Sequence, residues 1–347
     1  MKIRIIILLF LLPLFVGNIL TAQNYKAGVI AFYNLENLFD TIDTHNVLDT
    51  EFTPAGSKKW TGDKYWEKIS NMATVISKIG EKEGLPGPAI LGVSEIENSS
   101  VLEDLVKADA LKKFNFQIVH YNSPDRRGVD VALLYQPRYF RVTHTSSVPL
   151  FLYQDDGDRI FTRDQLVVSG IFDDEEMHFI VNHWPSRRGG ESRSRPLRNA
   201  AAQLSRSIVD SITAINPDAK VVVMGDLNDD PMNESVKVHL KAVGTKKKLK
   251  EGDMYNTMYK LYKKGIGSLA YRDNWNLFDQ IIITQPFLGD DYSSYKFRMA
   301  HVFNDKMLIQ KSGKYKGYPL RTYVGDTYKG GYSDHFPVYI LILKEVK

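Results

Sequence analysis

The sequence predicts a mixed α/β fold in which strands enter and leave one polar centre, and three observations carry that prediction. Eight short runs, at residues 28–33, 89–93, 129–135, 166–172, 178–182, 220–224, 279–284 and 338–343, are apolar, β-branched and bounded by turn formers, as buried strands are. Three stretches between them, 66–79, 100–111 and 198–212, fit a helical pattern; the first carries Ile69, Met72, Ala73, Ile76 and Ile79 on one face. Polar residues collect at the ends of the strand-like runs, but not at the same end. Asn34, Glu95, His183 and Asp226 follow theirs, whereas Asp279 opens its run and Asp334-His335 precede theirs. If these side chains share one site, the sheets hold strands of both directions, which argues against a doubly wound parallel sheet. Two packed sheets with helices outside satisfy the pattern.

The chain opens with basic Lys2 and Arg4, an apolar run over residues 5–16, and a close at Leu20-Thr21-Ala22 before polar Gln23-Asn24. That layout is a secretory signal peptide cleaved after Ala22, with an uncleaved anchor as the competing reading. It leaves residues 23–347 as one catalytic domain, exported to the periplasm or beyond the cell. The sequence has no cysteine, which excludes disulfides, thiolate metal sites and a cysteine nucleophile. A hydrophobic fraction of 43% supports an ordinary buried core. The formal charge of +4 is too small to imply nucleic-acid binding by itself.

Six segments carry candidate chemistry. Strand 220–224 runs into Gly225-Asp226-Leu227-Asn228, where glycine permits a sharp turn and Asp226 and Asn228 can face one cleft. A carboxylate there holds or deprotonates water, and an amide bonds a phosphoryl oxygen without repelling it. Ser333-Asp334-His335 offers a carboxylate for a cation and an imidazole for proton transfer. Asp279 opens a buried strand and is costly there unless paired; beside the last strand it would accept from one ring nitrogen of His335 and leave the other as a base. His183 ends a strand and leads into the basic loop Ser186-Arg187-Arg188-Gly189-Gly190, where Arg187 is a candidate phosphate contact; the basic run continues through Arg193, Arg195 and Arg198. Asn34 and Glu95 deliver hard oxygen ligands that suit Mg²⁺, Mn²⁺ or Ca²⁺.

In this order and spacing the six segments resemble the endonuclease/exonuclease/phosphatase superfamily, the DNase I-like fold, over nearly the whole mature chain. The resemblance implies a four-layer α/β sandwich of two mixed sheets packed face to face. It implies Asn34, Glu95 and Asp334 at a metal, with Glu95 preferred over Glu97. His183, Asp226, Asn228 and the Asp279–His335 pair are implied as catalytic, and Arg127, in the turn Arg126-Arg127-Gly128, as a phosphate contact beside Asn228. The expected activity is metal-dependent phosphodiester hydrolysis. An exported endonuclease acting on DNA or RNA is preferred, with Trp184 near enough to stack on bases. A phosphatase or lipid phosphodiesterase of the same fold is the alternative, and a binding module without catalysis is the non-enzymatic one. No obligate protein partner is evident. Residues 285–331, dense in Tyr, Lys and Gly, read as long surface loops that leave a membrane contact open. Residues 43–49 read as a solvated loop behind Asn34.

Overall fold

In the computed structural model, which describes residues 24–154 and 156–346, the first predicted run lengthens into the strand Tyr25–Leu38. The leader assigned to residues 1–22 lies outside the described residues. Tyr25–Leu38 pairs in parallel with Ile90–Ile96 and antiparallel with Val338–Glu345. These strands sit inside a six-stranded sheet that ends in Lys296–Val302 on one side and in Asp130–Tyr135 and then Gln117–His120 on the other. A second sheet has seven strands. Its centre is Lys220–Asp226, parallel to Glu175–His183 and antiparallel to Asp279–Ile283. Both sheets are therefore mixed, as the scatter of polar residues over opposite strand ends requires.

Side-chain alternation builds the layers, because successive strand residues face opposite sides. In Lys220–Asp226, Val222 and Met224 join the main core between the sheets, while Val221 and Val223 join a second core. Helix α3, Glu191–Ile215, closes that second core with Ala201, Ala202 and Val209. Helices α1, Gly62–Lys78, and α2, Ser99–Lys107, cover the first sheet with Ile69, Met72, Ile76, Leu102 and Leu105. The order helix, sheet, sheet, helix makes a four-layer α/β sandwich. The sheets approach closely at Gly92, where an added Cβ would lie 2.8 Å from Met224 Sδ of the opposite sheet. Each fully buried Val, Ile or Phe contributes roughly 1.5–3 kcal/mol, so the core between the sheets dominates the stability.

Several strands depart from the sequence reading, and two of them are long. Lys296–Val302 lies inside the segment read as loops, and Phe140–Val148 had no predicted counterpart. Both are sheet edges, both carry a bulge, and most of their side chains are only half-buried. An edge strand meets solvent along one side and lacks the continuous apolar run that marks an inner strand. Among the described residues, no helix is long and apolar enough to cross a membrane.

Candidate active site

Both sheets present the polar ends of their inner strands at one edge. The strand carrying Asn34 continues beyond it through an irregularity in which Glu36 and Asn37 take φ values of 48° and 53°. That kink lets the buried Asn34 accept from the Glu36 N–H at 2.9 Å and donate from Nδ2 to Asp226 Oδ2 at 3.1 Å. Glu95 also adopts a left-handed backbone, φ 58°, a conformation a residue with a Cβ enters at a cost of about 1–3 kcal/mol. The Asn37 N–H holds Glu95 Oε2 at 3.0 Å, and Oε1 lies 3.8 Å from His183 Nε2. Glu97 is turned elsewhere. Its carboxylate accepts from the Asp40 N–H at 2.6 Å and the Thr44 hydroxyl at 3.0 Å, anchoring the loop that the sequence presented as solvated.

In the second sheet Asp226 faces His183 on one neighbouring strand and Asp279 on the other. Gly225 does not make the turn expected of it. It stays in the strand, and the need for glycine is close approach, since a Cβ there would lie 2.2 Å from Asn182 O. The turn falls at Asn228, φ 51°, whose N–H donates to Asp226 Oδ1 at 2.9 Å and whose Nδ2 donates to Trp184 O at 3.0 Å. His335 Nδ1 lies 2.6 Å from Asp279 Oδ2, and its Nε2 stands 3.9 Å from both Asp226 Oδ2 and Asp334 Oδ1. His183 Nε2 approaches the same Asp226 oxygen at 3.7 Å. The six strand ends thus gather Asn34, Glu95, His183, Asp226, Asn228, Asp279, Asp334 and His335 into one constellation.

Burial and neighbouring charge set the protonation of this cluster. Burial pushes the Asp226 carboxyl up to about 7, an effect that His335 opposes and Asp279 and Glu95 reinforce. Burial also drives His183 well below its ordinary range, helped by the Arg163 and Arg127 charges, so that ring is neutral. For His335 burial opposes protonation, but the carboxylates of Asp279 and Asp226 outweigh it and raise the imidazole well above the usual value. Asp334 is held low: burial works against the anion, and His335, Arg321 and Lys68 overcome it.

Three sequence expectations are corrected here. Arg187 does not offer a free fork to phosphate: Nε donates to Asn228 O at 2.9 Å and Nη2 to Asp229 Oδ1 at 3.0 Å, over the Phe278 ring. It braces the Asn228 turn instead. Trp184 cannot stack on a base, because it is 1% exposed and its Nε1 donates to Asn182 Oδ1 at 3.1 Å. Arg198, read as the end of the phosphate-facing basic run, belongs to the core instead, ion-paired with Asp229 at 2.8 Å. Arg127 remains half-exposed at the rim, with Nε 3.4 Å from Asp125 Oδ1.

The sequence reading missed a supporting tier. Arg163, buried, donates to Asp125 Oδ2 at 2.9 Å and to the carbonyls of His183 and Trp184 at 3.1 and 2.7 Å, fixing the His183 strand end. Lys68 of α1 is fully buried, donates to Thr322 Oγ1 at 2.6 Å and to Tyr332 O, and lies 3.9 Å from Glu36 Oε2. Arg321 pairs with Asp334 and, at 3.6 Å, with Glu36. Lys68 was detectable, since it falls on the apolar face of its helix between Tyr65 and Met72. Arg321 and Arg163 carried no local signal.

The cleft suits a cation. Asp279 Oδ1 is buried without a hydrogen-bond partner, and burial together with the Asp279 and Glu95 charges outweighs His335 and pushes the Asp226 carboxyl up to about 7. Carboxylate and amide oxygens without sulfur fit Mg²⁺, Mn²⁺ or Ca²⁺. Asp226, Asp279 and His335 offer ligand atoms within 4.8 Å of one another. The direct 2.6 Å contact of Asp279 with His335 leaves no room for an ion between those two atoms, so that pair has the geometry of an oriented base. Glu95 Oε1 carries no hydrogen bond and lies 3.8 Å from His183 Nε2, so it is open to a cation.

This chain belongs to the Endonuclease/Exonuclease/phosphatase family, whose sequence profile matches residues 29–344 and so spans every residue of the constellation. Truncated Caenorhabditis elegans TDP2 is similar in structure, with a TM-score of 0.54 and 16% identity, over 91% of this chain and 97% of that one. A mannosyl-6-phosphatase from Bacteroides thetaiotaomicron has a TM-score of 0.53 and 15% identity, over 92% of this chain and 100% of its own. D. rerio TDP2 complexed with a single-strand DNA product has a TM-score of 0.53 and 11% identity, over 91% and 99%. At such identities these likenesses define the fold. No curated protein is significantly similar to the chain.

Proposed function

We propose that the protein is a divalent-metal-dependent phosphodiesterase that acts on nucleic acid as an endonuclease. The observation that carries this reading is the 2.6 Å contact between Asp279 Oδ2 and His335 Nδ1, with His335 Nε2 turned towards Asp226. Asp279 fixes the ring and holds the proton on Nδ1. With the carboxylate charge that raises this imidazole offset by a cation, Nε2 is freed of its own proton and becomes the atom that takes one from water. Asp226 positions that water as it attacks phosphorus. His183, kept neutral, and the second Nδ2 hydrogen of Asn228 donate to the phosphoryl oxygens as charge develops on them. Glu95, Asn34 and Asp334 would hold a divalent cation, which would supply Lewis-acid polarisation of the phosphate. The products are a phosphomonoester and an alcohol.

Nicking of supercoiled plasmid that requires Mg²⁺, Mn²⁺ or Ca²⁺ and stops on chelation tests the proposal. Hydrolysis of a sugar phosphate with nucleic acid untouched would replace the endonuclease with a phosphatase. Inertness towards both, with every one of these metals, would leave a binding module. We also infer that residues 1–22 are removed on export and leave 23–347 as one domain. N-terminal sequencing of the exported protein should start at Gln23; an intact Met1 on a membrane-bound chain would contradict this.

A further inference from the structure

Most arginines near the candidate site are matched to a carboxylate: Arg163 to Asp125, Arg187 and Arg198 to Asp229, and Arg195 to Glu191. Arg126, Arg159, Arg188 and Arg193 differ, for among the described residues none has a carboxylate within 4 Å, Asp164 acting on Arg159 only from farther off. Three of these four, Arg126, Arg188 and Arg193, line one groove of about 1080 Å³, which also includes Arg127, Arg163 and Pro185 and so runs up to the His183 strand end. Arg159 borders it, with its guanidinium between the rings of Phe151 and Phe161 at 4.7 and 4.8 Å, and Arg126 lies 5.5 Å from the Phe161 centroid. Arg159 Nε is buried with no hydrogen-bond partner. Phe151 and Phe161 are themselves exposed.

Among the described residues Asp156 is the one carboxylate of the groove lining outside the Asp125 pairs, so an excess of cationic groups remains. Like charges repel, and a fold gains nothing from collecting them unless an anion joins them. A guanidinium stacked on an aromatic ring keeps its plane fixed and its N–H edge free, the arrangement that accepts phosphate oxygens in pairs. Several such groups along one groove match a chain of phosphates rather than a single one. Exposed aromatic rings between them can stack on bases only where those bases are unpaired. We propose that this groove binds the backbone of a single-stranded nucleic acid and guides it to the His183 end of the site. The proposal rests on the nuclease reading and adds to it a strand path and a preference for single strands.

The test is fluorescence anisotropy of a labelled single-stranded oligonucleotide of about 12 nucleotides, with the mature protein in EDTA so that no cleavage intervenes. Replacing Arg126, Arg188 and Arg193 together by Ala should weaken binding at least about tenfold and reduce the log–log salt slope by about 2, as three lost phosphate contacts require. Replacing the exposed Lys246, Lys247 and Lys248 by Ala removes the same charge elsewhere and should leave Kd unchanged. A duplex of equal length should bind more weakly than the single strand. Equal losses in the two triple variants, an unchanged Kd in the arginine variant, or binding of anionic phosphatidylglycerol vesicles but not of the oligonucleotide would overturn the proposal. Turnover of bis(p-nitrophenyl) phosphate by the wild type with Mg²⁺ reports separately on the phosphodiesterase reading. Arginine-dependent binding without that turnover would sink the hydrolase and keep the groove.

Discussion

Asp279 and His335 stand 56 residues apart in sequence and meet at 2.6 Å in a buried cleft. Asp279 begins the strand Asp279–Ile283 of one sheet, and His335 precedes the strand Val338–Glu345 of the other. The pair therefore joins the two sheets at the edge where the remaining polar strand ends converge. Replacing Asp279 by Asn keeps the side-chain volume but removes the charge that orients the ring. Turnover of a small phosphodiester should fall about 10²–10⁴-fold while the circular dichroism spectrum is kept.

Metal dependence should be visible in stability as well as in rate. Binding to the folded state alone at 100 times Kd adds about 2.7 kcal/mol, so Mg²⁺ should raise the melting temperature in differential scanning fluorimetry. Glu95→Gln should abolish most of that rise, because it removes the carboxylate assigned as the leading ligand. A full rise in this variant would move the cation elsewhere.

Glu97→Ala separates the two candidate glutamates. It deletes the acceptors of Asp40 and Thr44 and should destabilise the protein by about 1–3 kcal/mol in urea melts. The Mg²⁺ concentration for half-maximal activity should change little. A large increase would reassign Glu97 as a ligand.

Lys68→Met tests the buried ion network behind the site. The variant leaves Glu36 with one fewer cation in a nonpolar setting, a loss of about 3–5 kcal/mol when one partner of a buried pair is removed. Adding Glu36→Gln should recover part of it, and urea denaturation of both variants measures the coupling. Additive losses would show that the two charges do not support each other.

The inner strands and the order of their polar ends were legible in sequence, because a strand buried on both faces is a continuous apolar run with an abrupt end. Asn34, Asp226 and His335 announced themselves in that way. Edge strands such as Phe140–Val148 did not, since their side chains are mixed in polarity. Arginines were legible as charge but not as function. Whether Arg187 is free depends on Asp229, 42 residues away, and whether Arg126 is free depends on no carboxylate folding beside it. Such facts are properties of the packed sheets rather than of any local pattern.

The central claim is that His335, oriented by Asp279, is the base of a metal-dependent phosphodiesterase. Its most direct test is the Mg²⁺-dependent turnover of bis(p-nitrophenyl) phosphate by wild type and His335→Ala, with melting curves taken on the same samples. The expected result is a loss of about 10²–10⁴-fold in kcat with a cooperative melt retained. Turnover within a few-fold of wild type in a folded His335→Ala protein would contradict the assignment.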